Sequence, residues 1–116
     1  MAILGIGIDI VNLSRIELII AKKILAKNEL LTYSTLKLEA RKKEFIGGRF
    51  ALKEAIVKAF NYKLLQFNKV DIISDGPLYL NKNTSIYLNS IKNFKNIHLS
   101  MSHEQNIAIG IVIIEK

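Results

Sequence analysis

The chain has no cysteine, a single proline, six glycines, and only four tyrosines and five phenylalanines. Without cysteine it has no disulfide framework, no thiolate catalyst and no cysteine-ligated zinc site. The few aromatics are scattered and no nucleic-acid motif is present, which argues against a base-stacking surface. Long apolar runs are missing as well. The run from Ile107 to Ile114, with Gly110 inside it, falls far short of the ~18 residues of a membrane span. The opening, Met1 to Val11, has no basic stretch and carries Asp9 mid-run. A secretory leader is therefore not expected, and a cytoplasmic protein is. HExxH, Walker and GxSxG motifs are absent, and Gly5-x-Gly7 is too short for a dinucleotide fingerprint.

What remains is 116 residues, half of them apolar, enough for one domain over residues 1–116. Seventeen basic against ten acidic residues give a net charge of +7, which points to an acidic partner or a phosphorylated ligand. Isoleucine, lysine and asparagine supply 44 of the 116 residues, and all three have AT-rich codons. Codon bias thus accounts for part of the lysine excess. The three arginines, Arg15, Arg41 and Arg49, carry more information, because a planar guanidinium is a geometric choice.

The pattern predicts an α+β chain in the order β-α-α-β-β-α-β-β. Ala2 to Val11 alternates as a strand, with Leu4, Ile6, Ile8 and Ile10 on one face and Gly5, Gly7 and Asp9 on the other. Ser14 with Glu17 three residues on reads as a capping box opening a helix to about Lys27. Polar Thr32 to Thr35 precedes a second, long helix from Leu36 to Phe60. Strands follow at Lys69–Ser74 and Leu78–Leu80 around an Asp75-Gly76-Pro77 turn, then a helix within Asn83–Asn93. Asn96–Ser102 and Asn106–Ile114 read as strands joined by a turn at His103-Glu104-Gln105. The last strand is apolar on both faces, which predicts burial on both sides and hints at a subunit interface.

Asp9 is the first chemical anomaly. A carboxylate inside an apolar strand costs several kcal/mol unless it is paired, metal-bound or turned to solvent. The glycines on its face mark close approach by a ligand or another backbone. In the long helix, Gly47-Gly48 costs ~1 kcal/mol per residue against alanine, so close packing should offset it. Glu54 and Lys58 share a face, and a surface i,i+4 pair is the simplest reading. Arg49 and Lys53 lie on a neighbouring face, where solvation is equally expected. His98 reads as a surface residue, whereas His103, beside a turn, is placed to reach a pocket. Asp9 and Glu54 together could hold a hard cation such as Mg²⁺.

These pieces, in this order, resemble the bacterial holo-[acyl-carrier-protein] synthase family of short 4′-phosphopantetheinyl transferases. Gly5-Ile6-Gly7-Ile8-Asp9-Ile10-Val11 with Arg15-Ile16 is similar to its first motif. Glu44 to Ala55, then Lys58-Ala59, resembles the second, and Leu99-Ser100-Met101-Ser102-His103-Glu104 the third. The resemblance implies that family's fold, an antiparallel-rich sheet packed against a long helix. It implies Mg²⁺-dependent transfer of phosphopantetheine from coenzyme A to a serine of apo-acyl carrier protein, releasing adenosine 3′,5′-bisphosphate. Asp9 and Glu54 match its metal ligands, and Glu54 and Lys58 its catalytic positions. Arg49, Lys58 and His103 match its coenzyme A site, and Arg15 a contact to the acidic carrier. A homotrimer with sites between subunits is also implied, with no nucleic acid or membrane as partner.

The proton acceptor for the serine stays open among Glu54, water and His103. Some features depart from the pattern. Asn61 stands where glycine is usual, and asparagine also suits a left-handed helix cap. The loop Tyr62 to Phe67 is short, and the Gly76-Pro77 turn lacks the family's lysine. Arg41 and Lys42 fit either a 3′-phosphate contact or a solvated face. The alternatives to an active transferase are a basic polyanion- or nucleic-acid-binding module and an inactive family member.

Overall fold

A computed structural model describes residues 2–74 and 76–116, so Asp75 of the expected Asp75-Gly76-Pro77 turn lies outside the described residues. β1 (Ile3–Asn12) leads through two 3-10 turns, Leu13–Arg15 and Leu18–Ile20, into α1 (Ala21–Ile24) and α2 (Lys27–Ser34). The long helix α3 (Glu39–Phe60) follows, then a 3-10 turn at Phe67–Lys69. The remainder is β2 (Ile72–Ile73), β3 (Tyr79–Leu80), α4 (Lys82–Ile91), β4 (Asn96–Glu104) and β5 (Ile107–Glu115). The class is α+β. An antiparallel sheet in the order β1-β5-β4 lies against α3, and β2-β3 forms a separate two-stranded ladder.

The alternation of β1 holds from Gly5 to Val11, but its covered side is the glycine side, and Leu4, beside a register shift between Ile3 and Gly5, packs into the core and not with the isoleucines. A Cβ at Gly7 would stand 1.8 Å from the Ala55 carbonyl oxygen, and one at Gly5 2.0 Å from that of Ala59. Strand and helix backbones therefore touch, which only glycine permits. Asp9 lies on this covered face, not on an open one. The isoleucine side is bare, with Ile6, Ile8 and Ile10 at 59%, 58% and 62% exposure. β5 repeats the asymmetry. Ala108, Val112 and Ile114 are fully buried, whereas Ile107 and Ile109 are exposed. Burial of β5 on both faces is thus not achieved within one copy of the chain.

α3 begins at Glu39, three residues later than expected, and ends as expected. Asn61 adopts the left-handed conformation (φ 52°, ψ 47°), and the Tyr62 amide donates to the Val57 carbonyl at 3.1 Å. The region before it departs from expectation. No helix opens at Ser14, because the Asn12 side chain accepts from the Ser14 amide at 3.0 Å and tightens the chain into a 3-10 turn. Leu13 and Ile16 are then buried against α3 at Gly47. Thr32 to Thr35 is no break but the last turn of α2, where Thr35 Oγ1 donates to the Thr32 carbonyl. The start of α2 has a distant cause. Its free amides at Asn28 and Glu29 donate to the Asp71 carboxylate at 3.1 and 3.2 Å, from 43 and 42 residues away.

β2 and β3 are shorter than expected, at two residues each. α4 is capped by Asn81, which accepts from the Asn83 amide at 2.8 Å. β4 runs on through His103 to Glu104, and the reversal falls at Gln105 (φ 53°) and Asn106. Among the described residues no helix is long and apolar enough to cross a membrane.

Candidate active site

Close contact between β1 and α3 brings three of the expected residues together. Lys58, near the end of α3, donates from Nζ to the Ile8 carbonyl at 2.8 Å and to Asp9 Oδ1 at 3.0 Å. Glu54, one turn earlier, shares this face. Its pKa is raised above the ordinary carboxylate value by partial burial first and by the Asp9 charge second, with Lys58 opposing both. The structure thus replaces the surface pair between Glu54 and Lys58 with one between Asp9 and Lys58. Two carboxylates in electrostatic contact with one half-exposed lysine leave negative charge unanswered.

This donor set suits a hard cation that keeps other oxygen ligands, because both protein donors are carboxylates. No group of three or more acidic, histidine or cysteine side chains able to hold a metal occurs among the described residues. Asp9 and Glu54 would supply two carboxylate ligands, and a hard cation held in this way takes its other positions from further oxygen donors such as substrate and water.

A second group forms at the N-terminal half of α3. Arg49 and His103 line one cavity of 230 Å³ with Arg41, Glu44, Phe45, Met101 and Leu36. His103 also borders a cavity of 370 Å³ with Ile10, Ile107 and Ile109, at the rim of the bare isoleucine face. Gly48 makes room for Met101, whose Sδ would lie 2.3 Å from an added Cβ. Arg41 is exposed and loosely paired with Glu44 at 3.9 Å. Lys42 lies over the Tyr33 ring, 5.9 Å from its centroid.

Within one chain the two groups do not share a cavity. A concavity of 640 Å³ between α2 and the β2-β3 ladder has no residue of either group in its lining. Its size alone does not make it the reactive site, since the carboxylates Asp9 and Glu54 and the residues Lys58, Arg49 and His103 lie outside its lining. Arg15 stands apart from both groups, exposed in the first 3-10 turn.

Arg49 and Lys53 are not solvated. They are 3% and 0% exposed and converge on Glu29, itself 1% exposed. Arg49 Nε donates to Glu29 Oε2 at 3.1 Å, and Lys53 Nζ donates to Glu29 Oε1. Burial pulls both cations below their ordinary pKa values, and the Glu29 charge pulls them back up. Glu29 and Asp71 are the residues that sequence reasoning missed. The available signal was an arginine and a lysine four apart in a helix otherwise apolar on that side, which calls for a buried acid. His98 is exposed, as expected, and pairs with the buried Glu115 at 2.5 Å.

Residues 5–112 match the 4′-phosphopantetheinyl transferase superfamily. The holo-[acyl-carrier-protein] synthase of Petrotoga mobilis is 34% identical over 95% of this chain and 94% of its own. That of Mycoplasma mycoides subsp. mycoides is 42% identical over 94% of this chain and 92% of its own. Among solved structures, the Bacillus anthracis holo-(acyl-carrier-protein) synthase in complex with CoA (3′,5′-ADP) superposes with a TM-score of 0.77. It is 33% identical, and the match covers 98% of this chain and 97% of that one. The Thermotoga maritima holo-[acyl-carrier-protein] synthase superposes at 0.81 with 33% identity over 99% of this chain, which spans 65% of that crystal chain. A carboxylate pair set between a glycine-lined strand and a long helix, in a chain that matches almost end to end, makes this protein a member of the 4′-phosphopantetheinyl transferase superfamily.

Proposed function

We propose that the chain is a holo-[acyl-carrier-protein] synthase whose residues 1–116 act as one catalytic domain. It moves the 4′-phosphopantetheine arm of coenzyme A onto a serine of apo-acyl carrier protein. The serine oxygen forms a bond to the phosphorus that carries the arm. The bond from that phosphorus to the pyrophosphate bridging oxygen breaks, and adenosine 3′,5′-bisphosphate leaves. The observation that carries this reading is the Asp9–Lys58 ion pair with Glu54 one turn before Lys58 on α3, where strand and helix backbones touch.

Asp9 and Glu54 would hold Mg²⁺, which supplies charge neutralisation at the pyrophosphate. Lys58, half exposed beside Asp9, is placed to donate to a phosphoryl oxygen as charge builds there. The serine proton passes to Glu54, to water or to His103. Arg49 and His103 line the coenzyme A site, and their shared cavity supports this. Arg15, exposed and basic, meets the acidic carrier protein, consistent with the net charge of +7.

The active form is a homotrimer with sites between subunits. Support comes from Ile6, Ile8 and Ile10 beside Ile107 and Ile109, an apolar face too continuous to stay in water. His103 lies at its rim, so a neighbour seated there would bring the two groups of side chains into one site. The reaction takes place in the cytoplasm and needs neither nucleic acid nor membrane.

The direct test is intact-mass spectrometry of apo-acyl carrier protein mixed with this protein, coenzyme A and Mg²⁺. The expected result is a gain of ~340 Da, one covalently transferred arm, that disappears with EDTA. No gain with any of several acidic carrier proteins would overturn the assignment. Light scattering tests the trimer independently, and a monomer at micromolar concentration would contradict it.

A further inference from the structure

Glu29 gathers more contacts than any role described so far requires. Its Oε1 accepts from the Ala26 amide at 2.9 Å and from Lys53 Nζ. Its Oε2 accepts from Arg49 Nε at 3.1 Å and from the Ile72 amide at 3.3 Å. Arg49 Nη2 then donates to the Ile72 carbonyl at 3.2 Å, so Ile72 of β2 is held at both its N–H and its C=O. The guanidinium also stacks on Phe45, with Cζ 4.5 Å from the ring centroid. Two of its three nitrogens are committed and its plane is fixed. Among the described residues only Nη1 lacks a partner, and Arg49 is part of the cavity wall it shares with His103.

An arginine held in this way cannot swing with its ligand. Its rotamer entropy is lost on folding, not on binding, which is what preorganisation means for an anion contact. We propose that Glu29 is a positioning residue for coenzyme A: it aims Arg49 Nη1 into the cavity and so raises affinity without touching the ligand. The same carboxylate holds Lys53, the residue before Glu54. This inference rests on the placement of Arg49 at the coenzyme A site.

The test must separate aiming from folding. Removing Glu29 alone strands two buried cations, so the main variant is Glu29→Met with Lys53→Met, which deletes one acid and one base together. Coenzyme A binding is titrated by calorimetry, thermal unfolding is followed in parallel, and KM is measured for both substrates. The expected result is an unfolding temperature near that of the parent and coenzyme A affinity down about tenfold, the scale of one charged hydrogen bond. KM for the carrier protein should move less than twofold. Arg49→Ala should lose at least as much affinity, and the triple variant no more than Arg49→Ala, because the two act through one contact.

Parent affinity in a folded Glu29→Met/Lys53→Met variant, with affinity lost in Arg49→Ala, would overturn the role of Glu29 alone. Parent affinity in both would overturn it together with the placement of Arg49. Should the double variant not fold, Glu29→Gln is titrated the same way. A loss of affinity there supports the proposal, and parent affinity overturns it.

Discussion

α3 carries two charged groups that differ in how completely their charges are answered. Around Glu29, two acids (Glu29 and Asp71) meet two bases (Arg49 and Lys53), all nearly or fully buried. Among the described residues no buried side-chain polar atom lacks a partner. Around Asp9, two acids meet one lysine that is 53% exposed, and Glu54 holds its proton more tightly than usual. The difference fits the roles proposed for the two groups. A balanced set of buried charges fixes geometry and leaves no surplus of either sign. An open set keeps a surplus of negative charge, as a site proposed to hold a cation requires.

The comparison is broken most severely at the open group. Asp9→Ala or Glu54→Ala should abolish transfer, a fall of about a thousandfold or more if the residue supplies both charge and alignment. Circular dichroism and thermal unfolding should stay close to the parent. Turnover like the parent's in either variant would contradict the metal assignment. The closed group should respond in the opposite manner. Glu29→Ala leaves two buried cations without their shared carboxylate and should cost about 3–5 kcal/mol of stability, read by urea unfolding.

Between the two lies the contact that builds the open site. Gly7→Ala puts a methyl group 1.8 Å from the Ala55 carbonyl oxygen, which is rigid backbone, so β1 and α3 must part. The expected cost is about 1–3 kcal/mol, typical of overpacking, together with weaker Mg²⁺ binding measured by calorimetry. A smaller effect is expected at Arg15. Arg15→Ala should raise KM for the carrier protein several-fold, roughly the effect of one surface charge on encounter, and leave KM for coenzyme A unchanged. Added salt should shrink that gap.

The smallest effect sharpens the contrast through pH. The Glu54 carboxyl has its pKa raised by burial and by Asp9. The folded chain therefore binds this proton more tightly than the unfolded one. Stability falls as pH climbs from the unfolded value through the folded value. Glu54→Gln removes that penalty. In EDTA at neutral pH it should unfold at a slightly higher temperature than the parent, although it transfers nothing. The gap should close as pH is lowered towards the carboxylate range. Neutralising an acid would then stabilise the open group, whereas neutralising Glu29 weakens the closed one.

Much of this was legible along the chain. Alternation placed β1, β4 and β5 within one or two residues. Gly5, Gly7 and Asp9 marked a strand approached by something, and the something is α3. Asn61 was read as a left-handed cap and is one. Local pattern misled where a stronger partner intervened. Ser14 and Glu17 have the spacing of a capping box, but Asn12 claims the Ser14 amide first. The Glu54–Lys58 spacing suits a surface pair, yet Lys58 reaches across to another element and finds Asp9.

By itself the amino-acid order determined the three long strands, the long helix α3, the helix α4 and the residue types at the open site, but not the turns and short helices between Leu13 and Ser34. These follow from backbone sterics and side-chain periodicity, which act over a few neighbours. It did not determine which face of β1 is covered, because alternation has no sign until a second layer is laid on it. Only the tertiary structure chose the glycine side, by letting two backbones touch. Only the tertiary structure made Glu29 the counter-ion of Arg49 and Lys53. Those partners lie 20 and 24 residues away, and burial alone turns ordinary charged residues into a pairing the chain cannot do without.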